Sequence, residues 1–447
     1  MPTMNWILRN RRRCLRRLEG EHGFTIVELM VAIAIFAILM TAAALGMNGA
    51  LNLTRNNRQR SVAANLAAQQ MDSIAAEDFS QVPIGASPPT TQTVDSTVYT
   101  ITQNSEWVGP TTSTSDCSGG ANANPAYLRV TVTVTWPQMN GVLPVQNQTI
   151  LTPPVGTYDA NSGNIGVTVL DRNATPEANI PVTATDSAGN ATTILTTPDG
   201  CAFFAYETPG TYTVTMSVAG YVTDQGAQPA TSTVSVVAGS SVQSQFSYDR
   251  AATLQLTLTG AAGGTVPNAV PLTLYNTHLL PSGTKRISGS GQTGPNRTVS
   301  NLFPYLDGFQ AWAGSCLDAD PQGVNPTNGQ PYYPGAIRDP ALPTTQGGTT
   351  TANVNMPSLS VRVVNGAGVP QVGAQVQVVH AADSVNGCTS GSTLVLSGTT
   401  DATGSIQAAL PFGLWQVQVV SRTPTTSWPS VTLAPPAGAN NATVVVN

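Results

Sequence analysis

Residues Phe24–Leu45 read FTIVELMVAIAIFAILMTAAAL, apolar at every position except Thr25, Glu28 and Thr41. Coiled as an α-helix, this stretch would extend about 33 Å, enough to cross a hydrocarbon core of about 30 Å. Residues 1–23 before it carry six arginines (Arg9, Arg11, Arg12, Arg13, Arg16 and Arg17) against Glu19 and Glu21. Basic residues beside a span stay in the cytoplasm, so the chain beyond Gly46 is expected outside. A secretory signal peptide has a shorter apolar core with its small-residue cleavage site after it. Here the processing site the residues suggest lies before the apolar stretch.

Composition bounds the nature of the chain beyond the span. Of 447 residues only 9% are charged, against about 25% in an ordinary soluble domain. Thr, Ser, Gly, Ala and Pro fill the difference, a mix suited to short strands and polar turns. An apolar share of 41% is too high for a disordered tail. The length allows about three domains at roughly 150 residues each. The formal charge of −5 joins a basic leader to an acidic remainder, and an acidic exterior repels phosphate backbones, so no nucleic-acid partner is expected.

Glu28 is the odd residue of the span, because a carboxylate in a membrane costs a few kcal/mol and normally has a partner. With its neighbours it forms Gly23-Phe24-Thr25-Ile26-Val27-Glu28-Leu29, which resembles the type IV prepilin cleavage and methylation motif. The resemblance implies that a prepilin peptidase cuts between Gly23 and Phe24 and that the Phe24 amine is N-methylated. It also implies that Glu28 pairs with a neighbouring subunit's N-terminal amine during filament assembly, which offsets the cost of burying the charge. The leader of residues 1–23 is longer than the short basic leaders common in that family, and Met4 offers an alternative start.

The helical pattern continues past the span. Val62, Leu66, Gln70 and Ile74 recur every fourth residue beside Ala63, Ala67 and Met71, an apolar stripe at helical spacing. One long helix is therefore expected from Phe24 to Asp78. Its transmembrane half would be 24–46, loosened near Gly46 and Gly49. Strands are expected at Thr97–Gln103, Tyr127–Trp136 and Val145–Leu151, the second alternating as Leu128, Val130, Val132, Val134, Trp136. This is the α+β layout of a pilin domain over 24–156, a long helix with an antiparallel meander. Thr152-Pro-Pro-Val-Gly156 and a polar run to Asn164 read as a linker.

The rest of the chain says one thing three times. Val167–Val169, Leu254–Leu256 and Leu359–Val361 each open a copy. Ile180–Ala184, Val270–Leu274 and Ala374–Val378 come next, and glycine-led aromatic strands at Gly210–Val214, Gly308–Trp312 and Gly413–Val417 come later. A period of about 100 residues predicts tandem all-β sandwich modules, here at 164–250, 251–357 and 358–447. In the first module Thr197-Pro-Asp-Gly200 is a turn signature. With Thr211–Ser217 and Gly220-Tyr221 it resembles carboxypeptidase regulatory-like and collagen-adhesin B-type domains, which are spacers or binding modules. Some of the latter carry Lys–Asn isopeptide bonds. Lys285 is the sole lysine of the chain, and none is expected here.

Residue patterns that carry chemistry are few. There is no G-x-S-x-G, H-E-x-x-H or phosphate-binding glycine loop. His278 and His380, in different modules, read as structural. Asp318 and Asp320 offer two carboxylates to calcium but lack the other oxygens of a recognisable loop, so they read as a solvated turn and no metal is assigned. The aromatics of Gln330-Pro-Tyr332-Tyr333-Pro334 fit ligand contact or turn packing equally. Cys117, Cys201, Cys316 and Cys388 lie in the exported part with no C-x-x-C pair, which reads as disulfides. Cys316–Cys388 is the expected bridge between the last two modules and Cys117–Cys201 the remaining pair.

The resemblance thus implies a minor pilin, expected to be non-enzymatic and without cofactor. Its expected partners are the peptidase and methyltransferase, other pilins, the membrane before assembly, and a surface or glycan ligand. Its expected location is the bacterial cytoplasmic membrane and then a surface pilus. The alternatives are a pseudopilin of a type II secretion or DNA-uptake system, and a membrane-anchored glycan-binding protein or hydrolase.

Overall fold

The computed structural model describes residues 25–108, 117, 127–139, 141–153, 161–380, 394–420 and 422–447. A single helix, α1, runs from Ile26 to Ala76. It passes unbroken through Gly46 and Gly49, so two glycines at about 1 kcal/mol each do not interrupt a helix of this length. The first half of α1 buries nothing. The second half buries Ala63, Leu66, Ala67 and Ile74 of the stripe read from the sequence, together with Gln59, while Val62, Gln70 and Met71 are half-buried.

That stripe packs on strands β1 (Gly85–Ala86), β2 (Thr90–Val94), β3 (Thr97–Val108), β4 (Tyr127–Thr135) and β5 (Val145–Leu151). Strands β3, β4 and β5 form the antiparallel meander, with β2 pairing β3. The alternation of β4 turns Leu128, Val130, Val132 and Val134 towards the helix, where all four are fully buried. Strand β3 is five residues longer than its sequence pattern suggested. Its extension carries Trp107, which packs against Phe79 and Tyr206.

The three repeats share one topology. The first contains β6 (Gly163–Leu170), β7 (Pro181–Thr185), β8 (Ala191–Leu195), β9 (Cys201–Glu207), β10 (Gly210–Met216), β11 (Tyr221–Thr223), β12 (Ala230–Val236) and β13 (Ser241–Arg250). The second contains β14 (Ala252–Gly260), β15 (Leu272–Tyr275), β16 (Thr284–Ile287), β17 (Asn296–Leu302), β18 (Gln310–Ala313) and β19 (Thr349–Met356). The third contains β20 (Ser358–Asn365), β21 (Gln375–His380), β22 (Leu394–Thr399), β23 (Ser405–Ala409), β24 (Gly413–Val419), β25 (Ser430–Leu433) and β26 (Ala439–Val446).

In every copy the first strand sits between its own last strand, parallel, and an antiparallel partner. The triplets are β13-β6-β9, β19-β14-β17 and β26-β20-β23. A second sheet built on β7, β15 or β21 faces this one across the core. One residue, Ala251 or Pro357, separates the last strand of one module from the first strand of the next.

The pilin region is not hung on a loose tether. Strand β1 pairs with β3 on one side and, in parallel, with β8 of the first module on the other, Gly85 opposite Leu195. The meander and the second sheet of module 1 are therefore one nine-stranded sheet. Gly85 allows this approach: its φ is +87° and a Cβ there would lie 2.4 Å from the Leu195 carbonyl oxygen. Cys201 and Phe203 of the module lie in the same apolar cluster as Leu66, Trp107 and Leu128.

Candidate functional site: the anchoring helix and the joints of the head

Gly23 and Phe24, the expected cleavage and methylation positions, lie outside the described residues. Immediately after them Thr25 caps α1. Its Oγ1 accepts from the Glu28 N–H at 3.3 Å, while Glu28 Oε2 accepts from the Thr25 N–H at 3.3 Å and its hydroxyl at 3.2 Å. This reciprocal capping box satisfies two of the orphan donors of the first turn. Glu28 thus has a role within its own chain, which the sequence reading did not anticipate although Thr25-x-x-Glu28 is a capping-box pattern. From Ile26 to Leu53 the apolar side chains stand exposed. Among the described residues this is the one helix long and apolar enough to cross a membrane.

Cys117 and Cys201 are joined by a disulfide with a Cα separation of 5.7 Å, which links the pilin region to the start of β9 in module 1. Cys316 is also disulfide-bonded, while Cys388 lies outside the described residues. The turn predicted at Thr197–Gly200 closes with the Gly200 N–H donating to the Thr197 carbonyl at 2.8 Å.

Asp318 and Asp320 are not a solvated turn. They are 3% and 6% exposed, and each carboxylate is already engaged. Asp320 accepts from Arg338 Nε at 2.8 Å and Nη2 at 2.7 Å, a bidentate pair. Asp318 Oδ2 lies 2.8 Å from His380 Nε2, across the boundary between modules 2 and 3, and accepts from the Leu414 N–H at 3.3 Å. The partners lie 18 and 62 residues away, so no local pattern could announce them. Cys316, Asp318 and His380 place ligand atoms within 4.8 Å of one another. With the sulfur held in a disulfide and the other two groups bonded together, they do not fit a metal.

Tyr333 adds to this joint. Its hydroxyl donates towards the Asp318 carbonyl at 2.7 Å and lies 3.3 Å from that of Leu433 in module 3. Burial, with the Asp318 charge nearby, pushes its phenol well above the usual range. His278 stacks on Tyr305 with centroids 5.3 Å apart, and Gln225 of module 1 donates to its carbonyl at 3.1 Å. Arg172 Nη1 donates to the Thr344 carbonyl at 2.6 Å, tying modules 1 and 2. Burial draws the Lys285 amine down.

Residues 20–44 match the prokaryotic N-terminal methylation motif. The chain therefore carries a prepilin-type N-terminus on an apolar helix, with its β-rich part beyond the membrane anchor. No curated protein matches it. Among solved structures it is similar to the Bacillus anthracis TIE protein, at 11% identity and TM-score 0.21 over 86% of this chain and 78% of that one. It is also similar to BcpA, the major pilin subunit of Bacillus cereus, at 10% identity and TM-score 0.19 over 64% and 99%. The full-length major pilin SpaD of Corynebacterium diphtheriae is similar at 11% and 0.18 over 65% and 100%.

Proposed function

We propose that this chain is a minor type IV pilin whose three β-modules form a non-catalytic, adhesive head. The observation that supports it best is the methylation motif at the start of a helix with two contrasting halves. The outer half exposes an apolar surface that only a membrane or a bundle of like helices would cover. The inner half is seated on a sheet that continues into the head. A prepilin peptidase cuts after Gly23, the Phe24 amine is methylated, and Glu28 turns from its capping contact towards the amine of a neighbouring subunit.

Mass spectrometry of the N-terminus in sheared surface filaments tests this directly. Methylated Phe24 is the expected first residue, and Gly23→Val should hold the chain in the membrane with its leader attached. An intact leader on wild-type protein in filaments overturns the reading. Glu28→Gln separates the two roles of that residue, since an amide still accepts from the Thr25 N–H but has no charge. Glu28→Gln should insert and fold its helix normally yet enter filaments poorly. Incorporation equal to wild type would leave Glu28 with its capping role alone.

A further inference from the structure

We infer that the cleft between the Tyr332–Asp339 loop of module 2 and Pro435–Pro436 of module 3 binds a neutral saccharide. The inference deepens the adhesive reading of the head by giving it a place and a ligand class. The cleft has a volume of about 820 Å³, within the range of sites that enclose a small ligand, roughly 300–1,000 Å³.

Its walls include Trp312, Tyr332, Tyr333 and Phe412, in a chain where aromatic residues make up only 6% of the sequence. Trp312 and Phe412 are buried and back the wall, while Tyr332 and Tyr333 are half-buried, and the electron-rich face of such a ring attracts the polarised C–H bonds on one side of a pyranose. The walls are held in place before any ligand arrives, which lowers the ordering cost of binding. Tyr333 is pinned between the modules through Asp318 and Leu433. The Gln310 side chain donates to the Asp339 carbonyl at 3.1 Å.

The polar groups select the ligand. The Arg338 guanidinium lies 3.7 Å from the Tyr275 ring centroid and 5.0 Å from that of Trp312. Burial works against its charge, but the Asp320 carboxylate outweighs this and holds its pKa above the ordinary value. Asp320 takes an Nε and an Nη2 donor and Tyr275 is a further partner, so some of the five N–H groups of the guanidinium remain. The next residue, Asp339, is exposed and offers acceptors only. Both residues line the cleft, so it offers a sugar hydroxyl a donor and, separately, an acceptor.

Because Asp320 neutralises Arg338, the remaining Asp339 charge disfavours an acidic sugar. A polyproline peptide would also lie on aromatic and proline surfaces, but its prolines have no N–H to give Asp339.

The full-length protein, in a zwitterionic detergent without a sugar headgroup, should be tested by saturation-transfer NMR and titration calorimetry. The neutral probes are maltotriose, mannotriose and triacetylchitotriose; sialyllactose and decaproline are the contrasts. At least one neutral trisaccharide should bind with a Kd of about 1 mM or tighter. Tyr332→Ala and Asp339→Ala, each melting as wild type, should weaken that binding roughly tenfold. The inference is overturned if no neutral probe binds at about 10 mM. It is also overturned if both variants bind unchanged, or if sialyllactose or decaproline binds more tightly than every neutral sugar. N-terminal mass spectrometry reads the pilin assignment separately, so the two can fail apart.

Discussion

The pilin region meets module 1, and module 2 meets module 3, with a different balance of contacts. At the first joint the backbone itself crosses: β1 continues the sheet into β8, a disulfide closes over it, and Phe203 lies among the residues that cover Trp107. At the second joint the backbone crosses at the Thr265–Ala408 bridge and Ala409 enters the core of module 2, and buried polar side chains are added: Asp318 to His380, and Tyr333 to the carbonyl of Leu433. Apolar and covalent contacts tolerate small shifts and are indifferent to pH. A buried carboxylate–imidazole pair is worth little if misaligned and costs several kcal/mol if one partner is missing. The polar contacts added at the second joint fix the orientation of the two modules that share the cleft.

The largest test of this contrast removes the covalent link. Replacing Cys117 and Cys201 by Ala should destabilise the pilin–module 1 unit by about 4.5 kcal/mol, the chain-entropy value for a loop of this size. Denaturant unfolding tracked by hydrogen exchange should show the loss there and leave modules 2 and 3 protected. Equal loss everywhere would mean that the joints are one cooperative unit.

Asp318→Ala removes the contact to the buried His380 and frees the Leu414 N–H. It should loosen modules 2 and 3 by about 3 kcal/mol, with module 1 unchanged in the same experiment. Gly85→Ala places a methyl against the Leu195 carbonyl at a left-handed backbone position. About 2 kcal/mol of strain is expected, read as faster exchange in β1 and β8 with the disulfide still formed. If β8 exchanges as in wild type, the sheet continuation contributes nothing to that joint.

The smallest effect is on pH. The Asp401 carboxyl is held below its usual value by hydrogen bonds from Thr403 and Ser405. For Asp171, burial works the other way but the bonds from Thr175 and Asn173 win, and its pKa is lowered too. A depressed pKa adds stability that is complete above the unfolded value of about 3.9 and disappears as pH falls through the folded one. Module 3 has Asn365 where module 1 has Asp171, each accepting from the backbone N–H four residues on. Asp171→Asn should therefore flatten the acid limb of unfolding in module 1 and preserve the turn. An unchanged acid limb would show that the turn carboxylates are incidental.

Much of the architecture was legible in the residues. The period of four along Val62–Ile74 and the period of two along Leu128–Trp136 name the buried faces outright, because each element packs one side only. The threefold repeat of opening strand and glycine-led aromatic strand was equally open to view. What escaped was everything fixed between distant segments. Strand β1 is two residues long and has no pattern, yet it joins two domains. Asp318 and Asp320 looked like surface residues because Arg338 and His380 are remote in the chain. The cleft was visible only as Tyr332-Tyr333, whose second wall comes from a different module.

The parallel pairing of first and last strands in each module has a mechanical consequence. The chain enters such a pair at one end and leaves at the other, so tension between its two ends draws the strands past one another lengthwise. Seven residue pairs in β6–β13 and eight in each of β14–β19 and β20–β26 then bear the load together, whereas a hairpin peeled from its open end breaks its bonds singly. A cell pulling on a filament whose load enters at the cleft would transmit that force through modules 1 and 2 in this orientation. It would reach the anchoring helix through a joint already cross-linked by Cys117 and Cys201.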